Sequence, residues 1–132
     1  MIVESKAKVL LIDDDVDFVS FNKAYLERRY LVEVAFDGKE GVAKAREVKP
    51  DVIVLDVMMV DIDEGFNVAR EICNDLELRG TPIIMLSSVN RLLRPMHFEP
   101  DPDWLPVSAF LDKPVSPERL AEEIERLVPR RS

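Results

Sequence analysis

The chain has 132 residues, of which 47% are apolar and 33% charged, with a formal net charge of −8. That length suits one domain able to bury roughly two thirds of its unfolded surface, and the acidic balance argues against a nucleic-acid surface, which needs a positive face. No run approaches the ~20 apolar residues of a membrane span, and the only cysteine, Cys73, cannot close an internal disulfide, so a cytoplasmic protein is expected.

The first apolar run, KVLLI at 8–12, reads as a strand and leads into Asp13-Asp14-Asp15. A helical period follows in Phe18, Phe21, Tyr25 and Leu26. A second strand, LVEVAF at 31–36, precedes Asp37-Gly38, which opens a helix over 39–48 that closes before Pro50. The third strand, VIVL at 52–55, ends on Asp56. Phe66, Ala69, Ile72, Cys73 and Leu76 then repeat at helical spacing. PIIML at 82–86 is the fourth strand and leads into Ser87-Ser88; VSAFL at 107–111 is the fifth and leads into Asp112-Lys113-Pro114. Ser116-Pro117-Glu118 opens a last helix carrying Leu120, Ile124, Leu127 and Val128, with a cap residue followed by proline at the first helical position.

The first, third and fourth strands are continuously apolar, as strands covered on both faces should be. Strands alternating with helices at this spacing imply right-handed crossovers and a parallel sheet. Such sheets bind ligands beyond the carboxyl ends of their strands, and four of the five runs end there in Asp13-Asp14, Asp56, Ser87 and Lys113.

Carboxylates gathered at one edge repel unless a cation sits among them. A hard divalent ion with oxygen ligands answers that need, and Mg²⁺ suits a few carboxylates plus retained water. A carboxylate can itself be the nucleophile that forms an aspartyl phosphate, with Lys113 as a fixed positive charge for the phosphoryl oxygens and the Ser87 hydroxyl as a donor. Each residue alone has a plainer reading. Asp13 to Asp17 could only favour a helix N-terminus, Asp56 could merely end a strand, and Lys113 could be a solvated surface lysine. The plain readings leave unexplained why all four meet the same edge in the same order.

The sequence resembles the response-regulator receiver domains of two-component signalling over nearly its whole length. KVLLIDDDVDF is similar to that family's first strand with its acidic pair, and PDVIVLDVMM to the strand bearing the phospho-accepting aspartate. PIIMLSS is similar to the strand with the switch Ser/Thr, and AFLDKPVSPERL to the strand ending in Lys-Pro.

The resemblance implies a flavodoxin-like, doubly wound α/β fold with a five-stranded parallel sheet in the order 2-1-3-4-5. It implies that Asp56 accepts a phosphoryl group from a phosphohistidine on a sensor kinase or phosphotransfer protein. Asp14, Asp56 and the backbone carbonyl of Met58 would hold Mg²⁺, with Asp13 acting largely through water. Lys113 would pair with the phosphoryl group, Ser87 would swing to bond it, and Phe110 would follow as the aromatic switch. The Lys113–Pro114 bond would be cis, in keeping with the near-restriction of cis bonds to proline. No enzyme activity is expected beyond Mg²⁺-dependent self-phosphorylation and self-dephosphorylation at Asp56.

Two segments depart from the family pattern. The loop from Met59 to Gly65 lacks the usual proline and is one residue longer, either a tolerated change or an altered acceptor site. After Ser88, Pro95, Pro100, Pro102 and Pro106 rule out one continuous helix, so the fourth helix is expected to be shortened or replaced by a proline-rich loop. Met96, Phe98 and Trp104 in that stretch suit either a partner hot spot or a loop pinned to its own core, and His97, the only histidine, reads as incidental. Met58 and Val89, both apolar, stand at the positions that by analogy tune hydrolysis of the aspartyl phosphate, so slow self-dephosphorylation is expected.

The expectation is therefore a single receiver domain, 1–132 with its core at about 7–128, and no output domain. Its partners would be a histidine kinase or phosphotransfer protein and an unidentified protein target, without nucleic acid or membrane; homodimerisation through the altered fourth-helix face stays open. Two rivals remain. One is a degenerate receiver that binds proteins without phosphorylation. The other is a Mg²⁺-dependent phosphohydrolase, against which Met58 occupies the place of that class's second aspartate.

Overall fold

Acids and hydroxyls placed before apolar periods start the helices. The computed structural model describes residues 6–56, 62–87 and 107–128. Asp15 caps helix α1 (Val16–Leu26) by accepting the Phe18 N–H, and Asp37 caps α2 (Gly38–Val48) by accepting that of Glu40. Ser116 caps the last helix, α4 (Pro117–Leu127), by accepting from Arg119, with proline in its first turn. Helix α2 stops where Lys49 turns into the left-handed region at φ 50° and Pro50 follows. Helix α3 spans Ile62–Asn74.

The strands are β1 (Lys8–Ile12), β2 (Leu31–Ala35), β3 (Val52–Asp56), β4 (Ile83–Ser87) and β5 (Ala109–Asp112). All pair in parallel in the order β2-β1-β3-β4-β5. The sheet is therefore the expected doubly wound, flavodoxin-like one, with β3 at its centre between β1 and β4. Every residue of β3 is buried, whereas the edge strand β2 starts exposed and β5 ends exposed.

Alternate side chains of the same strands feed opposite layers. Leu10, Ile12, Ile53, Leu55, Ile83 and Met85 pack under α2 and α3, against Val42, Ala45, Phe66, Ala69 and Ile72. Val9, Leu11, Val52, Val54, Ile84 and Leu86 pack under α1 and α4, against Val19, Leu26, Leu120 and Ile124. Burying each such side chain contributes about 1.5–3 kcal/mol, so the central strands are pinned from both sides. Helix α2 comes so close that a Cβ on Gly41 would lie 2.6 Å from Ile12 Cδ1. Glycine is what permits that approach next to the strand end carrying Asp13.

Two apolar positions differ from expectation. Phe21 is 65% exposed because α1 buries the stripe of Val19, Asn22 and Leu26, which turns Phe21 outward. Leu76 lies past the end of α3 and is 77% exposed. The expected proline-rich replacement of a helix, the Met59 to Gly65 loop up to Asp61, and Val89 and His97 all lie outside the described residues. No described helix is long and apolar enough to cross a membrane.

Candidate functional site

The site is made where three strands end. Strand β1 is extended by the Asp13 N–H bonding the Ala35 carbonyl at 3.1 Å, so Asp13 leaves the sheet in a fixed direction. Asp56 is the last residue of β3 and is set in register against Leu86 of β4. Lys113 follows β5 directly and precedes a cis bond to Pro114, as expected.

Burial separates the acids. Asp13 and Asp56 are 2% and 4% exposed, whereas Asp14 is exposed. One oxygen from each of the three lies within 4.8 Å of the others, the one such acid cluster among the described residues. The Lys113 ammonium donates to Asp13 Oδ2 at 2.8 Å and stands 3.5 Å from Asp56 Oδ2. The other Asp13 oxygen accepts the Asp15 N–H at 2.9 Å. Burial pulls the Lys113 pKa down, but the hydrogen bond to Asp13 and the charges of Asp56 and Asp13 outweigh it and hold the group above the ordinary lysine value. Lys113 is therefore a fixed cation at neutral pH.

The donor set fits a divalent metal. Lys113 brings one formal positive charge to three carboxylates, which leaves two negative charges for a hard cation with oxygen ligands. The carbonyl of Met58, expected to complete such a set, lies outside the described residues. Strand β4 carries Ser87 to the same edge, in register with Asp112 of β5, while its side chain is outside what is described. Phe110 is half-buried and packs against the layer of Leu10, Ile12 and Met85.

The sequence showed the acids and the lysine but not their neighbours. Phe18, legible only as part of an apolar helical face, lies with its ring centroid 4.4 Å from the Lys113 ammonium. Asn22 was not singled out as a buried residue, yet it is 1% exposed and donates to the Phe18 carbonyl at 2.9 Å. A polar residue inside an otherwise apolar stripe was the one signal available for it.

The family model of the response regulator receiver domain matches residues 9–125. The chain is 34% identical over 130 residues to the transcriptional regulatory protein ResD of Bacillus subtilis, covering 97% of this chain and 50% of that one. It is 30% identical over 126 residues to protein PilH of Pseudomonas aeruginosa, covering 92% of this chain and 98% of PilH. It thus spans half of the first relative and nearly all of the second. Among solved structures it is similar to the chemotaxis protein CheY4 of Vibrio cholerae, at 29% identity and a TM-score of 0.77, over 94% of this chain and 100% of that one.

Proposed function

The chain belongs to the response regulator receiver domain family, and from that premise we propose that Asp56 is a phosphoacceptor which takes a phosphoryl group from a phosphohistidine. The observation that carries the reading is the convergence of Asp13, Asp14 and Lys113 on a buried aspartate at one strand edge.

A carboxylate oxygen of Asp56 forms a bond to phosphorus as the P–N bond of the donor breaks. The electron pair returns to the imidazole nitrogen, which regains a proton, and the product is a mixed anhydride on Asp56. The rigid, fully buried β3 presents the nucleophile without further ordering. Lys113 faces the incoming oxygens with a full positive charge held by Asp13, in a partly desolvated place where such a charge acts strongly. Asp13, Asp14 and Asp56 would hold Mg²⁺, which when bound shields the phosphoryl oxygens. Ser87 and Phe110 are the switch pair of this reading, with Ser87 bonding the phosphoryl group and Phe110 following it inward. A modest bias between two conformations then suffices to redistribute partner contacts.

On this reading the partners are a histidine kinase or phosphotransfer protein and a protein target, and the place of action is the cytoplasm. The domain is a single unit over 1–132. Intact mass after incubation with Mg²⁺ and acetyl phosphate provides the test. The wild type gains one phosphoryl group and Asp56→Asn gains none. An unmodified wild type that is folded and binds Mg²⁺ would instead favour a binding module that works without phosphorylation.

A further inference from the structure

We propose that Phe18 is a positioning residue for Lys113, its ring serving as the platform that keeps the ammonium over the acid pocket. The inference rests on the phosphoacceptor reading and extends it to a residue on α1.

A lysine at a protein edge has a long flexible stem and a strongly hydrated head, and tends to extend toward water. Lys113 does not. Its ammonium lies 4.4 Å from the Phe18 ring centroid while bonding Asp13 at 2.8 Å and standing 3.5 Å from Asp56. The aromatic face replaces part of the hydration lost on burial. Asp13 and Asp56 draw the charge into the pocket by its head. The ring adds an aromatic contact to those two carboxylates.

Phe18 is itself fixed from both ends of its backbone. Its N–H donates to Asp15 Oδ1 at 3.1 Å, and its carbonyl accepts from the buried Asn22 amide at 2.9 Å. The Asp15 N–H in turn donates to Asp13 Oδ1 at 2.9 Å. The contacts close a circuit: Asp13 holds Asp15, Asp15 holds Phe18, Phe18 supports Lys113, and Lys113 returns to Asp13. The residue that starts α1 is thereby coupled to the cation that faces the acceptor, although the two come from opposite ends of the chain.

The test compares Phe18→Leu, which keeps apolar volume without a π face, with Phe18→Tyr, which keeps the face. In the metal-free protein the Lys113 ε-methylene protons, assigned by their loss in Lys113→Arg, resonate upfield of the other lysines in wild type and Phe18→Tyr and return to the common range in Phe18→Leu. The rate of mass gain from acetyl phosphate falls about three- to tenfold in Phe18→Leu and stays within about twofold in Phe18→Tyr. Unshifted methylene protons in the wild type overturn the proposal whatever the acceptor does. Equal rates in all three proteins, or equal slowing in both variants, reduce Phe18 to packing and overturn it as well. A wild type that takes up no phosphoryl group defeats the phosphoacceptor reading and this role together, a pattern distinct from either of those.

Discussion

At the carboxyl edge of the sheet the Lys113 ammonium meets the side chains of Asp13 and Asp56; at the amino edge Lys8 and Asp51 also meet, but through the main chain. There Asp51 Oδ2 accepts the backbone N–H of Lys8 at 2.8 Å, and the Lys8 ammonium donates to the Val48 carbonyl at 3.0 Å. Lys8 and Asp51 are only half-buried, and each tidies a chain reversal by bonding a backbone group. At the carboxyl edge two buried acids share one cation, with a third acid alongside. The same two residue types serve structure at one edge and concentrate charge at the other.

Glu123 on α4 sharpens the contrast from a third place. It is 7% exposed, and its carboxylate is bonded by Arg126 and, at 3.1 Å, by Arg119. Burial and a cation are therefore not sufficient for a site. Glu123 has more positive partners than it needs, whereas Asp56 shares its lysine with other acids.

The largest effect on stability is expected where that sharing is broken. Lys113→Ala leaves Asp13 and Asp56 buried without their cation and should cost about 3 kcal/mol in denaturant unfolding without divalent ions. Added Mg²⁺ should recover more stability in Lys113→Ala than in the wild type, because the cluster then carries a larger uncompensated charge. A variant as stable as the wild type would show that the lysine does not hold the pocket together.

A smaller effect, and one with a pH signature, is expected at Glu123. Arg126 chiefly, against the opposing effect of burial and with help from Arg119, holds this carboxyl below its ordinary pKa. A depressed folded pKa contributes stability above the unfolded value, and that contribution is lost as pH falls through the folded one. Because both arginines are about half-exposed, Glu123→Gln should cost only about 1 kcal/mol at pH 7. The difference from wild type should vanish as pH falls through the acid range below about 4.3. Thermal unfolding from neutral to strongly acid pH reads it directly, and a pH-independent difference would assign the loss to packing.

The smallest effect belongs to the amino edge. Asp51→Asn keeps an acceptor for the Lys8 N–H, so unfolding should shift by less than about 1 kcal/mol. The rate of phosphoryl uptake from acetyl phosphate should not change. A slowed rate would mean that the two edges are coupled through β1 and β3.

Much of this contrast is legible in the sequence, for a definite reason. Continuous apolar runs at 8–12, 52–55 and 82–86 read as strands covered on both faces, which calls for helices above and below. Once the sheet is parallel, residues following each strand must share one edge, which brought Asp13, Asp14, Asp56 and Lys113 together without knowledge of a single distance. The acids' unequal burial could not be read, because Asp13 and Asp14 are neighbours in sequence and differ only in which side of the chain they face. Nor could Phe18 be placed beneath Lys113. Helical spacing gives a face, and Phe21, which shared that apparent face, turns outward. Lys8 and Asp51 were silent because their bonds run to backbone groups, which every residue type possesses.

The central claim, that Asp56 and no other carboxyl accepts the phosphoryl group, is tested most directly by chemical trapping. Borohydride reduces an acyl phosphate to an alcohol and so converts a phosphorylated aspartate to homoserine, which peptide mass spectrometry can place. After treatment with Mg²⁺ and acetyl phosphate, homoserine should stand at position 56, with Asp13, Asp14 and Asp51 unchanged. Homoserine at any of those three positions, or at none despite a gain in intact mass, would contradict the account.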